Sequence, residues 1–373
     1  MVFYAIFACT PLLVALAVKQ YYQCPINESK RARRAFLFFS GLILWLVIAL
    51  RDKEVGSTDS AHYYRHWDNM AFRNVEGLME NFVKSRMEPG YLCSTWLLSK
   101  IFPHPQFAFV CSGLVFTISV CLFIYRNSDH VVISFIMFIT WGLYGFMVQG
   151  LRQGLAMSIC LFSIESVKKR KLWKFIFQIL LALTFHKSAI VFSIVYFLPW
   201  KRLSLTSKLQ MFSASVALIA CSAIVIVIGT TLLNREYSVE VQEGGGYVAL
   251  TLYIMLVLGG TLFIQHSKTV ENVSYNVVLL GTEEERRSDT LFFALTLISF
   301  SFFVMRYTGM GIMERISFYF QFGQLILLPK VIKRFDKGSQ NIAYTFAILL
   351  SVLLLMFRVE NTALAPYKFF FLD

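Results

Sequence analysis

Apolar stretches of membrane-spanning length recur along the whole chain and limit what it can fold into. Twelve can be delimited, at 2–18, 35–50, 106–124, 131–148, 153–167, 172–185, 188–199, 210–232, 247–265, 290–305, 316–329 and 341–357. Short polar segments separate them, as expected for helices that cross a hydrocarbon core about 30 Å thick. The sequence therefore predicts an all-α polytopic membrane protein of about 12 transmembrane helices (11 to 13), in a single integral membrane domain over residues 1–373.

Charge and cysteine content fit this class. Only 15% of the 373 residues are charged, against about 25% in soluble domains. The net charge of +13 could suggest a nucleic-acid partner, but 21 of the 35 Lys and Arg residues lie in alternate loops between apolar stretches. The positive-inside rule explains this excess, so no nucleic-acid partner is predicted. The seven cysteines lack metal-binding spacing, and no nucleotide or metal motif occurs, so no metal or cofactor is predicted.

The same charge bias places both termini outside. Its weak point is 172–199, where two short apolar runs flank His186 and could instead form one span. A single span would move ten Lys and Arg residues of the later loops to the outside. The bias therefore favours two short helices that meet at His186.

One long external segment, residues 51–105, follows the second span. Its apolar residues at helical spacing predict a helix that lies in the membrane interface: Val75, Leu78, Met79, Phe82 and Val83. The Ser-Thr-Asp run at 57–59 supplies natural caps for a preceding helix. The Pro-Gly pair at 89–90 opens a further short helix, which we predict to be re-entrant.

Ionisable residues border the spans on the external side, in four different loops. They are Arg51, Asp59, Glu88, Arg152, His186, Arg306 and Arg315. Charges near a bilayer are costly unless they line an aqueous cavity or find partners, so we expect them to converge on one external cavity. The acidic run at 281–289 falls in an internal loop and is expected to be solvated.

Two arginine-containing turns stand out. Arg152 lies in the tight turn from Gln149 to Gln153, where it either contacts a ligand or caps a helix. Arg306 and Arg315 bracket the glycine-containing loop RYTGMGIMER, and two guanidinium groups can hold phosphate oxygens. The alternative is a local ion pair between Glu314 and Arg315.

The remaining candidate residues of the first half have two interpretations each. His186, followed by Lys187, suits a base or a hydrogen-bond donor, but a structural hydrogen bond is equally compatible. Asp59 is either a functional carboxylate or a helix cap. Glu88 precedes a proline-opened helix and is either a cap or part of a site. Tyr63 and neighbouring aromatic residues either stack on sugar rings or form the interfacial belt.

Three sequence blocks carry a family resemblance through their order. They are VGSTDSAHY at 55–63 with EPGYL at 88–92, LRQGLAMSICLF at 151–162, and FHKSAIVF at 185–192. The chain resembles the EpsG family of exopolysaccharide proteins and, more broadly, the Wzy class of O-antigen polymerases. Asp59 follows Gly56 at a spacing slightly wider than the tightest family pattern.

The resemblance implies a GT-C-like membrane glycosyltransferase of the bacterial inner membrane, with its active site facing the periplasm. Such an enzyme transfers a growing glycan from undecaprenyl pyrophosphate to a new lipid-linked repeat unit, without a metal. Its implied partners are undecaprenyl-pyrophosphate-linked glycans, membrane lipid and a polysaccharide chain-length regulator. An O-antigen ligase that uses the same donor, a flippase or transporter, and a membrane O-acyltransferase are the alternatives.

The resemblance also assigns roles to single residues. Arg152, Arg315 and, secondarily, Arg306 would bind the pyrophosphate, with Arg51 supporting the same anion. Either His186 or Asp59 would orient or deprotonate the acceptor hydroxyl. The catalytic set is thus Arg51, Asp59, Arg152, His186 and Arg315, and the substrate-binding set is Tyr63, Glu88, Gln149, Gln153, Lys187, Arg306 and Tyr307.

Overall fold

The computed structural model describes most of the chain. It covers residues 2–85, 87–198, 283–306, 311–360 and 364–371, with the short stretches 210–211, 213–214, 217 and 253–257. The chain divides into two compact units, one of Met1–Tyr196 with Thr345–Asp373, the other of Phe197–Tyr344. The described residues are helical, with no β-strand beyond an isolated bridge between Arg51 and Phe369. The predicted all-α class is confirmed.

Residues 2–197 form a series of helices. They are α1 (Val2–Tyr22), α2 (Lys30–Ala49), α3 (Ser57–Phe72), α4 (Val75–Lys84), α5 (Pro89–Ile101), α6 (Phe107–Asn127), α7 (Val131–Thr140), α8 (Leu143–Gln149), α9 (Leu151–Lys168), α10 (Leu172–Leu183) and a 3₁₀ helix (Lys187–Phe197). Later come α11 (Glu283–Met305), α12 (Gly311–Ile332) and α13 (Lys337–Glu360).

Five of the described helices are long and apolar enough to cross a membrane. They are α1, α2, α6, the Arg287–Met305 part of α11 and the Lys337–Met356 part of α13. The protein is therefore a polytopic membrane protein. The predicted spans 210–232 and 247–265 lie largely outside the described residues, and the count of about twelve, the single domain and the GT-C-like arrangement stay predictions.

The predicted span 131–148 is not one straight helix. It divides into α7 and α8, which are bent by 51° relative to each other. Gly142 forms the break with a φ of 97°, a conformation that glycine adopts without steric cost. The Trp141 indole beside it donates a hydrogen bond to the Ser351 hydroxyl at 2.9 Å. Hydropathy predicted the span but not this bend, because it does not register a single left-handed residue.

The break predicted at His186 is confirmed. Helix α10 ends at Leu183, and the next helical segment begins at Lys187. That second segment is a 3₁₀ helix, whereas an α-helix was expected. His186 therefore lies in a short turn between two helical elements.

The segment 51–105, which the loop charges predict to be external, contains three helices, as the sequence predicted. Its first helix, α3, is capped by Gly56, whose φ is 103° and which makes no side-chain cap bond. The predicted caps at 57–59 are therefore wrong, because the helix already begins at Ser57. Pro89 occupies the first turn of α5, as predicted, since proline has no N–H group to leave unpaired there.

Helix α4 has two apolar sides. Leu78 is buried with Met70 and Leu92, and Phe82 packs against the same cluster. Val83 is 87% exposed on the other side, where Val75 and Met79 are also exposed. The five apolar residues of the sequence pattern therefore do not all lie on the exposed side of α4. The pattern combines a side that packs against the protein with a side that is exposed.

In the second unit, Asp289 is buried near the start of α11. Its carboxylate lies 2.6 Å from Lys330 Nζ and 3.4 Å from Arg334 Nη2, both near the end of α12. The expectation that the acidic run 281–289 is solvated throughout is wrong at this residue. A buried carboxylate requires such partners, and it ties the two helices together at this end.

Candidate active site

Glu88 is the residue at which separate sequence blocks meet. Its Oε2 accepts a hydrogen bond from Arg152 Nη1 at 2.6 Å, and its Oε1 accepts one from the backbone N–H of Lys187 at 3.2 Å. Arg152 belongs to the LRQG block and Lys187 to the FHKS block. One carboxylate thus joins three blocks that are up to 99 positions apart.

Backbone hydrogen bonds next to Glu88 also join the start of α5 to the end of α10. The N–H groups of Gly90 and Tyr91 both donate to the Thr184 carbonyl oxygen, at 2.8 and 3.2 Å. A Cβ atom at Gly90 would lie 2.2 Å from Thr184 Oγ1 and 2.8 Å from its carbonyl oxygen. Only glycine therefore allows the start of α5 to approach the end of α10 this closely.

The structure does not support the interpretation of Glu88 as a helix-capping side chain. Glu88 occupies the N-cap position of α5, but its side chain makes no cap hydrogen bond. The carboxylate instead reaches Arg152 and Lys187, and its side chain is only 6% exposed. Its burial beside two donors favours a role in organising the site.

Tyr63 brings the first block to the same place. Its hydroxyl oxygen lies 3.5 Å from Arg152 Nε, the donor of a long hydrogen bond. Its ring packs edge-on against Tyr91, with ring centroids 5.8 Å apart. The predicted set Tyr63, Glu88, Arg152 and Lys187 is therefore assembled around one ion pair.

His66 joins this group and was missed in the sequence analysis. Its ring stacks on Tyr91 with centroids 5.7 Å apart. Burial, aided by the nearby positive charges of His62, Arg152 and Arg73, lowers the pKa of His66 to about 4. The available signal was its position three residues after Tyr63, on the same side of α3.

His186 lies directly before Lys187 in the turn that Glu88 contacts. Its Nδ1 is 2.8 Å from the Ser188 hydroxyl and accepts the Ser188 backbone N–H at 3.2 Å. The ring is half-buried, and the side chain of Lys187 is exposed. The histidine is therefore held in a fixed turn beside the Glu88–Arg152 pair.

Arg51 is fully buried at the start of the segment 51–105. Its Nη1 donates to Ser60 Oγ at 2.9 Å and to the Val55 carbonyl, and its Nη2 donates to the Val148 carbonyl at 2.9 Å. The guanidinium also lies 3.9 Å from the centroid of the Phe109 ring. This geometry connects the segment 51–105 to the end of α8 and favours a positioning role for Arg51 over direct contact with a ligand.

The remaining predicted residues of the first unit lie close to these elements in the chain. Asp59 is exposed in the first turn of α3. Gln149 is half-buried at the end of α8, and Gln153 is buried in the first turn of α9. The turn between α8 and α9 therefore places Arg152 between two glutamines, one of them buried.

Arg306 and Arg315 belong to the second unit. Arg306 Nη1 lies 2.6 Å from Glu314 Oε1. The alternative drawn from the sequence was an ion pair between Glu314 and Arg315. In the structure Glu314 is paired with Arg306. Arg315 is exposed in the first turns of α12, and Tyr307 lies outside the described residues.

Comparison with known proteins identifies the family. The EpsG family model matches residues 34–369. The chain belongs to the EpsG family. It is thus a membrane protein of a family similar to the Wzy-type polysaccharide polymerases. No curated protein and no solved structure matches the chain. The EpsG match includes every residue of the Glu88 junction.

Proposed function

We propose that this EpsG-family chain is a polysaccharide polymerase at the periplasmic face of the bacterial inner membrane. It transfers a growing glycan from undecaprenyl pyrophosphate to the non-reducing-end hydroxyl of a lipid-linked repeat unit. The observation that carries the proposal is the junction at Glu88, which joins the three blocks of the family resemblance in one group of contacts. A chain-length regulator is a further proposed partner.

Arg152 is the proposed pyrophosphate ligand. In the reaction the bond between the anomeric carbon and the pyrophosphate oxygen breaks, and a bond to the acceptor oxygen forms. Pyrophosphate departs as an anion and needs no proton, so a fixed guanidinium stabilises the charge that develops on it. Arg152 has 24% of its side chain exposed, which leaves it reachable by a ligand. Arg315 and Arg306 are the proposed further contacts.

His186 is the proposed base that takes the proton of the acceptor hydroxyl. It adjoins Lys187, whose backbone is bound to the same carboxylate as Arg152. Asp59, the other candidate, is exposed on α3. Tyr63, Gln149, Gln153 and Lys187 are the proposed contacts to the glycans.

The proposal is tested by Arg152→Ala in the native host, with the length distribution of the surface polysaccharide as the measurement. We expect long chains to disappear while single repeat units on lipid A core remain, because the lipid-linked unit is still made, exported and ligated. Loss of even the single repeats would indicate a ligase or a flippase. Arg126→Ala, at an exposed arginine at the end of α6, is the matched control and should leave the distribution unchanged.

Long chains of normal distribution in the Arg152→Ala strain would contradict the proposal. The amount of protein in the membrane is measured in parallel, so that loss of the protein is not mistaken for loss of activity. Arg152→Lys keeps the charge but not the planar fork, and we expect it to restore the long chains only in part.

A further inference from the structure

We propose that Glu88 is a positioning residue: its one carboxylate fixes the pyrophosphate-binding edge of Arg152 and the turn that carries His186 relative to each other. This inference rests on the proposed function. It also revises the substrate-binding role predicted for Glu88, since a side chain that is 6% exposed contacts its neighbours and not a glycan.

The first half of the argument concerns Arg152. Its guanidinium has five N–H donors in a rigid plane. Nη1 donates to Glu88 and Nε to Tyr63, while no described residue accepts a hydrogen bond from Nη2. The two partners are 5–6% exposed, whereas Arg152 remains 24% exposed. Glu88 and Tyr63 therefore engage two of the three guanidinium nitrogens and leave Nη2 for the donor anion.

The second half concerns the turn at His186. Glu88 Oε1 accepts the Lys187 N–H, and the turn is closed by hydrogen bonds from His186 N–H to the Ala182 carbonyl and from Ala189 N–H to the His186 carbonyl, both 3.0 Å. The backbone beside Glu88 is in turn fixed by the Gly90 and Tyr91 contacts to Thr184. The carboxylate therefore cannot shift without moving the turn, so the distance between Arg152 and the His186 turn is set at Glu88.

The chemistry of the position requires a carboxylate of this length. Each of the two carboxylate oxygens of Glu88 accepts one of these hydrogen bonds. Glutamine has an NH₂ group in place of one oxygen, so only one of its two terminal atoms can accept a hydrogen bond from Arg152 or Lys187. Aspartate keeps the charge but is one methylene shorter and cannot span both donors. Glu88→Gln therefore leaves one buried donor unpaired and removes the charge that holds Arg152.

The test measures inorganic pyrophosphate binding by the purified full chain in detergent, by calorimetric titration to millimolar concentration. We expect Glu88→Gln to weaken binding about tenfold and Arg152→Ala to weaken it more, because a charge-assisted hydrogen bond contributes this much. The double variant should bind as Arg152→Ala does, since Glu88 acts through Arg152. Glu80→Gln, at an exposed carboxylate of α4 paired with Lys84 and Arg73, is the control and should bind as wild type.

Unchanged binding by Glu88→Gln, or a full additional loss in the Arg152→Ala background, would overturn the positioning role. Unchanged binding by Arg152→Ala would instead overturn the pyrophosphate site of the proposed function. Melting temperatures are recorded for all variants. If Glu88→Gln does not fold, Glu88→Asp replaces it, with the same expected weakening and the same expected absence of a further loss beside Arg152→Ala.

Discussion

The buried arginine at 51 and the half-buried arginine at 152 differ in what their guanidinium groups contact. Arg51 donates to two backbone carbonyls and a hydroxyl, and it is 0% exposed. Arg152 is held by two side chains and keeps an exposed edge. Hydropathy and loop charge placed both residues outside the membrane but treated them as equivalent. Their proposed roles, positioning for Arg51 and ligand binding for Arg152, depend on contacts 64 to 97 positions away, which a single sequence does not reveal.

Gly90 offers a direct test of the contact between the EPGYL and FHKS blocks. Gly90→Ala places a methyl group 2.2 Å from Thr184 Oγ1, so the start of α5 must move away from the His186 turn. We expect an overpacking cost of about 1–3 kcal/mol, seen as a lower melting temperature, and a shortened polysaccharide in the native host.

Gly150→Ala is the matched control for this change. It lies in the turn next to Arg152, but its Cβ would be no closer than 3.5 Å to a neighbouring atom, an ordinary contact. Normal polymer length in both variants would show that the close approach at Gly90 is dispensable.

Among the elements, α4 shows how much of a helix's packing can be predicted from its sequence pattern. Periodicity predicted the helix correctly, but it did not separate the side that packs on Met70 and Leu92 from the exposed side. Sequence periodicity marks apolar positions and not the partner they meet, so two adjoining apolar sides of one helix read as a single stripe. The same limitation applies to α7 and α8, which read as one span.

We expect the exposed side of α4 to lie in the outer leaflet of the membrane. A photoreactive benzoylphenylalanine at Val83, which is 87% exposed, should form adducts with phospholipid in native membranes. The same residue at Leu78, which is 6% exposed, should crosslink within the chain, and mass spectrometry distinguishes the two products. Crosslinks from position 83 to another protein, with none to lipid, would contradict the interfacial placement.

For the whole molecule, the predicted topology places the two ends of α9 on opposite sides of the membrane. This helix has 18 residues and is about 27 Å long, close to the thickness of a hydrocarbon core. A cysteine at Gln149 should therefore react with a membrane-impermeant maleimide in intact cells. A cysteine at Lys169, at the other end, should react only after permeabilisation, and the parent protein gives the background from the seven native cysteines. Labelling of both positions from one side would contradict the predicted topology.

At this scale, the sequence predicted the helical class, the three helices of residues 51–105 and the break at His186, because each depends on local hydropathy, charge or turn chemistry. The convergence at Glu88 was expected only as a general gathering of external charges. Which carboxylate would meet which arginine depends on how α5, α9 and α10 pack, and that packing joins residues far apart in the chain.

The segment 364–371 has a consequence for how the first unit assembles. The Leu364 carbonyl accepts a hydrogen bond from the Tyr4 hydroxyl, and the Tyr367 hydroxyl donates one to the Val47 carbonyl. Phe369 forms an isolated β-bridge with Arg51. These residues are synthesised more than 300 positions after their partners. The contacts of residues 364–369 with the helices around Arg51 can therefore form only late in translation, after the residues of the second unit have been made. A nascent chain that stops short of this segment would carry every residue of the Glu88 junction but would lack the contacts of residues 364–369 with Tyr4, Val47 and Arg51.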